Sequence, residues 1–235
     1  MIKKILFLLI FILLITSCTH EKDIFKIKRE KKKDKNYEVI YPEFTGIDTE
    51  VITKLNKDIF AVANKSLDTW KYADERDKIK FKSTYKIEFE KEELISIRFD
   101  QVITVNDGIR PYFEIKSITL NKSSGKKYNL SDLFYPHSGY EVILGNFIKD
   151  KINSENIDTI REFQGLDAEQ EFYLTDNGLV IYYQPYVYTT RSYGPLIVEI
   201  PYLRIYKIIR KEYLNLVAED IDRTLVEQCG MFKLN

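Results

Sequence analysis

The chain has 235 residues, of which 44% are hydrophobic and 14% aromatic, and its 36 basic and 36 acidic side chains give a net charge of zero. This apolar content is sufficient for a packed core and excludes a disordered chain. The charges are unevenly placed, because residues 21–37 carry eight Lys or Arg against four Asp or Glu, whereas residues 38–235 carry 26 against 32. The mildly acidic main part excludes a typical nucleic-acid-binding protein, which requires a basic face.

The first 18 residues have the features of an export signal. Lys3 and Lys4 precede an uncharged apolar stretch, and small residues then lead into Cys18. The stretch is too short for a comfortable spanning helix. It resembles a bacterial lipoprotein signal, in which residues 1–17 are removed and Cys18 carries the lipid; the alternative is an ordinary N-terminal membrane anchor. We therefore expect a protein held by lipid on the extracytoplasmic side of a cell membrane, since acyl chains provide stable attachment without a spanning helix.

Residues 18–36 follow the signal and are rich in charge and poor in apolar side chains. This composition predicts a tether between the lipid and a folded part that begins near Tyr37. The excess of Lys and Arg leaves two readings open, a solvated linker without a specific partner and a segment that contacts anionic lipid headgroups.

The first folded part is predicted to span residues 37–136. A short strand from Tyr37 to Tyr41 is expected to stop at Pro42, and Asp48 is placed to cap a helix that runs to about Leu67. Alternating apolar residues then predict three antiparallel strands over residues 85–89, 94–105 and 113–120.

The second folded part is predicted to span residues 137–235. Helical spacing covers 140–152, an Asn177-Gly178 turn joins two apolar runs within 172–183, and residues 196–200 form another strand. Apolar positions from Tyr202 to about Arg223 predict a long amphipathic C-terminal helix. Strands interrupted by helices indicate an α+β fold, with a mostly antiparallel sheet packed by helices.

Residues suited to catalysis are few. The histidines are His20 and His137, and Cys229 is left as a single thiol once Cys18 carries lipid, so no disulfide is expected within the mature chain. No zinc motif, phosphate-binding loop or nucleophile motif is present in the sequence. We expect no metal and no cofactor. Asp100 and Glu199 are the carboxylates least typical of an ordinary surface, and an envelope hydrolase that uses such carboxylates is the enzymatic alternative.

A tyrosine-rich segment between two predicted strands is the best candidate for binding. Residues 182–193 combine five tyrosines with an arginine, in a region interrupted by Pro185 and by Gly194-Pro195. Tyrosine and arginine are enriched where proteins bind partners, because they combine a large contact area with polar ends. The same tyrosines would equally serve as structural cover for the core. The candidate ligand-binding residues are Tyr183, Tyr186, Tyr188, Arg191 and Tyr193.

Several motifs resemble the RsiV-like family. These are residues 172–187, Tyr193-Gly-Pro and Val198-Glu-Ile-Pro-Tyr202, preceded by Ser117–Lys126 and Leu130-Ser-Asp-Leu-Phe134. Tyr41-Pro-Glu-Phe-Thr-Gly46 and the helix after it resemble the domain that precedes the catalytic domain of PdaC-type peptidoglycan deacetylases. The resemblance covers about residues 37–215.

The resemblance implies extracytoplasmic work, because RsiV-like anti-sigma factors bind lysozyme through this domain and PdaC-type enzymes carry it beside a deacetylase. Where the family usually has Gly-Ala-His, this chain has Gly108-Ile109-Arg110, so no role of that histidine is carried over to Arg110. Deacetylase activity and a transmembrane signalling role are not carried over either. The sequence therefore predicts a non-catalytic binding domain for lysozyme or a cell-wall glycan.

Overall fold

The computed structural model describes residues 25–70, 79–105 and 111–217. Its eight strands are β1 (Phe25–Asp34), β2 (Tyr37–Gly46), β3 (Ile79–Lys91), β4 (Leu94–Val105), β5 (Tyr112–Asn121), β6 (Phe172–Leu174), β7 (Gly178–Tyr183) and β8 (Leu196–Pro201). The α-helices are α1 (Thr49–Ala63), α2 (Lys65–Trp70), α3 (Tyr140–Ser154), α4 (Tyr202–Ile205) and α5 (Lys211–Val217), and a 3₁₀ turn covers Leu130–Leu133.

A five-stranded sheet in the order β1-β2-β3-β4-β5 forms the first layer. The β2–β3 pair is parallel and the other pairs are antiparallel, which agrees with the predicted α+β fold with a mostly antiparallel sheet. Helix α1 covers one face of this sheet. It begins as predicted at Asp48, whose carboxylate accepts hydrogen bonds of 3.1 Å from the backbone of Glu50 and Val51. Its buried Leu55 and Ile59 pack with Phe44, Ile97 and Phe99 of the strands.

The three-stranded antiparallel sheet β6-β7-β8 packs near the opposite face, against β4 and β5. The predicted hairpin over 172–183 is confirmed as β6 and β7. Buried polar groups join the two sheets: the Ser96 hydroxyl of β4 accepts a 2.9 Å hydrogen bond from the Leu174 amide of β6. The Ser117 hydroxyl of β5 lies 2.8 Å from the Tyr182 hydroxyl of β7. Since unpaired buried polar groups are costly, these bonds fix the relative position of the sheets.

Helix α3 confirms the helix predicted over 140–152 and packs beside the second sheet. Its buried Leu144 and Ile148 belong to one cluster with Phe89 and Leu94 of the first sheet. The two parts predicted on either side of residue 136 therefore share apolar packing in the folded chain. Among the described residues, no helix is long and apolar enough to cross a membrane.

The prediction of a tether up to residue 36 is wrong for its second half, because residues 25–34 form the edge strand β1. This strand pairs with β2 along its whole length, from Phe25 opposite Gly46 to Asp34 opposite Tyr37. The rings of Phe25 and Phe44 meet edge to face, with centroids 6.3 Å apart. The few apolar residues of the segment are enough to pack an edge strand, whose other side chains remain in water.

The expected stop at Pro42 is also wrong, because β2 continues to Gly46. β2 pairs with β3 only over Tyr37–Val39, so proline lies where one side of the strand has no strand partner. Asn56 of α1 then satisfies the free backbone of Phe44, since its side-chain oxygen accepts from the amide at 2.7 Å and its nitrogen donates to the carbonyl at 2.9 Å.

The long C-terminal helix predicted from Tyr202 is replaced by α4 and α5 within the described residues; residues 218–223 lie outside them. Between these helices, Ile209 forms an antiparallel bridge with Phe134. The Arg210 backbone amide donates to the Leu133 carbonyl at 2.9 Å, and the Arg210 side-chain Nε donates to the Phe134 carbonyl at 2.8 Å. These tertiary hydrogen bonds replace helical ones, while Ile205 and Ile209 are buried as their spacing predicts.

Candidate functional site

The tyrosine-rich segment forms the connection between β7 and β8 and is held by its own hydrogen bonds. The Tyr186 amide donates to the Thr189 carbonyl at 2.8 Å, and the buried Thr189 hydroxyl donates to the Gly194 carbonyl at 2.6 Å. Tyr186 has a φ of 70°, a left-handed conformation that is uncommon for tyrosine. The connection is therefore a defined loop that presents particular side chains to solvent.

Two of the predicted ligand-binding tyrosines, Tyr183 and Tyr188, lie in the core. Their rings meet edge to face with centroids 4.8 Å apart, and both contact Phe163. The Tyr183 hydroxyl donates to the Gly165 carbonyl at 3.2 Å, and the Tyr188 hydroxyl accepts from the Gln164 amide at 3.3 Å. Burial raises the pKa of Tyr183 well above its ordinary value, and the nearby Tyr188 and Asp167 raise it further. These tyrosines hold the loop in place and are not part of the candidate surface.

The other three predicted residues, Tyr186, Arg191 and Tyr193, lie at the surface of the loop. Tyr186 is 57% exposed and Tyr193 is 48% exposed. Arg191 donates to the Pro111 carbonyl at 2.7 Å, and its guanidinium carbon lies 4.3 Å from the ring centroid of Tyr112. The stacking of Arg191 on Tyr112 joins the loop to the start of β5.

Strand β5 adds two aromatic residues that were not predicted from the sequence. Phe113 is 57% exposed, although large apolar side chains are normally buried, and Tyr112 lies beside it. We call Tyr112, Phe113, Tyr186, Arg191 and Tyr193 the aromatic surface. A shallow cleft of about 70 Å³ opens there, and its lining is Tyr112, Phe113, Glu114, Gln184, Pro185, Tyr186, Arg191 and Gly194.

Gln184 fixes the loop to the outer edge of β5. Its side-chain oxygen accepts from the Ile115 amide at 3.1 Å, and its nitrogen donates to the Ile115 carbonyl at 2.5 Å. The same nitrogen donates to the Glu171 carboxylate at 3.1 Å. Because a side-chain amide takes the place of the next strand, the aromatic side chains of β5 and of the loop are kept side by side.

The two candidate carboxylates have separate partners. Asp100 lies 3.1 Å from the Arg98 guanidinium, which is also 3.0 Å from Glu88 and 3.5 Å from the Tyr173 hydroxyl. Burial raises the pKa of Tyr173, while the hydrogen bond from Arg98 opposes that rise. Glu199 accepts a 2.6 Å hydrogen bond from the Thr175 hydroxyl at the β6–β7 turn. Each carboxylate thus has a structural interaction, and they share no partner.

The other residues considered as candidates for catalysis or metal binding do not form a site within the described part of the chain. His137 is exposed and has a φ of 60° in the turn before α3. Cys18, His20, Arg110 and Cys229 lie outside the described residues. Within residues 25–70, 79–105 and 111–217, no three His, Cys, Asp or Glu side chains are grouped so that they could hold a metal ion.

A second cleft, of about 100 Å³, lies between β5 and the segment before β6. Its charged lining is Lys65, Lys127, Glu169 and Glu171. Lys65 lies 3.5 Å from Glu171, so part of this charge is already paired. Exposed aromatic rings are not part of its lining, and the aromatic surface is the stronger candidate for a binding site.

Part of the chain matches the model of a known protein family. Residues 131–203 match the model of DUF3298, described as a protein of unknown function. This match contains the loop and strands β6–β8 but not Tyr112 and Phe113, and it covers less than half of the chain. A comparison with curated proteins gives no match.

Two crystal structures of DUF3298 family proteins have a similar fold. The protein from Bacteroides fragilis NCTC 9343 is 12% identical, with a TM-score of 0.60, and the alignment covers 83% of this chain and 97% of that one. The protein from Pseudomonas aeruginosa PAO1 is 13% identical, with a TM-score of 0.54 and coverages of 80% and 95%. The chain therefore shares the fold of these DUF3298 family proteins and carries a DUF3298 match over residues 131–203.

Proposed function

We propose that the chain is a membrane-anchored extracytoplasmic lipoprotein whose folded part is a non-catalytic binding domain for lysozyme or a cell-wall glycan. The observation that carries binding is the aromatic surface, where exposed Phe113 and Tyr186 line one cleft together with Arg191, and exposed Tyr193 lies on the same loop. Exposed aromatic groups rimmed by polar side chains are typical of ligand-binding surfaces.

The chemistry of the aromatic surface suits both ligands. Tyrosine offers a flat apolar face together with a hydroxyl, which fits the rings and hydroxyl groups of a sugar. Tyrosine and arginine also dominate the energetic centres of protein interfaces. Lysozyme is proposed because the motifs over residues 37–215 resemble the RsiV-like family. The extracytoplasmic location rests on the signal features of residues 1–18 and on lipid at Cys18.

A non-catalytic role is favoured over an envelope hydrolase by the interactions of the carboxylates. Asp100 is neutralised by Arg98, and Glu199 is bound by Thr175. A glycosidase-type mechanism needs two carboxylates that act on the same bond. Asp100 is about half exposed, Glu199 lies on a strand position open to water, and the two share no partner.

The double change Tyr186→Ala and Tyr193→Ala is expected to weaken ligand binding at least about tenfold, because truncation of a central aromatic residue costs about 2 kcal/mol of binding energy. Both side chains are about half exposed, so stability should change little. The measurement is a calorimetric titration of the mature chain, residues 18–235 with Cys18→Ser to prevent lipidation. The two ligands tested are lysozyme and soluble peptidoglycan fragments.

Tyr135→Ala is the matched control, because this tyrosine is 45% exposed and lies outside the aromatic surface. Its hydroxyl accepts only from the Lys211 amide among the described residues, at 3.1 Å. We expect Tyr135→Ala to leave affinity unchanged. The proposal is wrong if the folded wild-type chain binds neither ligand, or if it hydrolyses the peptidoglycan fragments.

A further inference from the structure

The edge strand β1 and the turn after it concentrate positive charge. Residues 25–35 contain seven basic side chains and two acidic ones, Glu30 and Asp34. All seven basic residues are exposed: Lys26, Lys28, Arg29, Lys31, Lys32, Lys33 and Lys35. We call this segment the basic edge. The rest of the chain is acidic overall, so the charge is localised at one side of the five-stranded sheet.

Few of these charges are neutralised within the described part of the chain. Lys31 and Lys33 lie 3.2 and 4.0 Å from the carboxylate of Glu38, and the hydrogen bond from Lys31 lowers the pKa of Glu38. Lys32 lies 3.8 Å from the ring centroid of Phe60. Lys26, Lys28 and Arg29 form no ion pair with any described residue, although Glu43 is opposite Lys28 on β2.

We propose that the basic edge binds anionic lipid headgroups of the membrane that carries the protein. Basic residues close to an anionic surface each strengthen binding, and the attraction extends about one Debye length from the surface. The predicted lipid position supports this partner, because only six residues, 19–24, lie between Cys18 and Phe25. Even when fully extended they reach about 25 Å, so lipid at Cys18 would hold β1 near the headgroups.

This contact would orient the binding domain. β1 and β5 are the opposite edges of the sheet, four strand spacings apart, which is about 19 Å. The aromatic surface lies at β5, so headgroup contact at β1 would place it on the side away from the membrane. Lysines on an edge strand also prevent pairing with other chains, and a role limited to that protection predicts no lipid binding.

The test is sedimentation of the mature chain with Cys18→Ser in the presence of lipid vesicles. We expect binding to vesicles that contain phosphatidylglycerol, no binding to vesicles of phosphatidylcholine alone, and loss of binding at high salt. The triple variant Lys26→Gln, Lys28→Gln and Arg29→Gln should weaken binding about 100-fold, since each basic residue contributes about fivefold near such a surface.

The control variant Lys127→Gln, Lys149→Gln and Lys211→Gln removes the same charge from exposed positions outside β1. It should change affinity only a few-fold, and circular dichroism and thermal unfolding should verify that both variants are folded. Equal weakening by the two triple variants would show that only net charge matters and would overturn the proposal. So would absence of wild-type binding to the anionic vesicles at low salt.

Discussion

A chain that begins at Tyr37 is expected to be less stable than a chain that begins at Phe25, with a free energy of unfolding that is lower by at least about 3 kcal/mol. Removal of β1 exposes Phe44 and Ile40, eliminates the packing of Phe25 and Ile27, and breaks the pairing of ten residues with β2. Burial of apolar side chains contributes about 1.5–3 kcal/mol each when complete, so several partial losses reach this size. β2 would also become an apolar edge that promotes aggregation.

Urea unfolding followed by circular dichroism measures this difference for the two chains. The chain that begins at Phe25 is the control, because it lacks only residues before the first described strand. A flexible tether would contribute nothing to folding. Equal unfolding midpoints for the two chains would therefore show that residues 25–36 are a tether after all.

Gly178→Ala is expected to destabilise the protein by about 3 kcal/mol. A Cβ atom at Gly178 would lie 2.5 Å from the carbonyl oxygen and 2.9 Å from the carbonyl carbon of Ile200, which is on the paired strand β8. These are backbone atoms, so relief requires a shift of the strand, and overpacking of this kind costs about 1–3 kcal/mol or more.

Gly145→Ala in α3 is the matched control for thermal and denaturant unfolding. Its Cβ would meet only a Phe163 ring carbon at 3.6 Å, which is ordinary contact. Alanine also favours a helix over glycine by about 1 kcal/mol, so this variant should be neutral or more stable. A Gly178→Ala protein as stable as Gly145→Ala would contradict the close approach of β7 and β8.

Elements with strong local signals were predictable from the sequence. The cap at Asp48, the spacing of α3 and the hairpin over 172–183 each depend on neighbouring residues, and all three are present in the structure. The turn of the hairpin is one residue earlier than predicted, because Gly178 is the first residue of β7 and its carbonyl accepts from the Thr175 amide at 2.9 Å. β1 was missed because a lysine-rich edge strand and a solvated linker have nearly the same composition. The prediction of a long C-terminal helix was wrong because Arg210 donates hydrogen bonds to the carbonyls of Leu133 and Phe134. These residues are remote in sequence, so the apolar spacing around Arg210 does not reveal the interaction.

The candidate surface was predictable only in part, for a similar reason. The tyrosine-rich sequence indicates the loop, but its pattern does not distinguish the buried Tyr183 and Tyr188 from the exposed Tyr186 and Tyr193. That separation depends on Phe163, which comes from another segment and packs on the buried pair. Tyr112 and Phe113 were missed because their strand, β5, is brought to the loop by hydrogen bonds between the Gln184 side chain and the Ile115 backbone. These two residues are 69 positions apart in the sequence.

Hydrogen–deuterium exchange of the mature chain, measured with and without lysozyme or peptidoglycan fragments, locates the surface that binds the ligand. Binding at the aromatic surface predicts slower exchange at residues 111–114 and 184–194, with little change in α3. Protection confined to other regions, such as residues 127–130 and 168–172 around the charged cleft, would contradict binding at the aromatic surface. So would unchanged exchange of residues 111–114 and 184–194 at saturating concentrations of both lysozyme and peptidoglycan fragments.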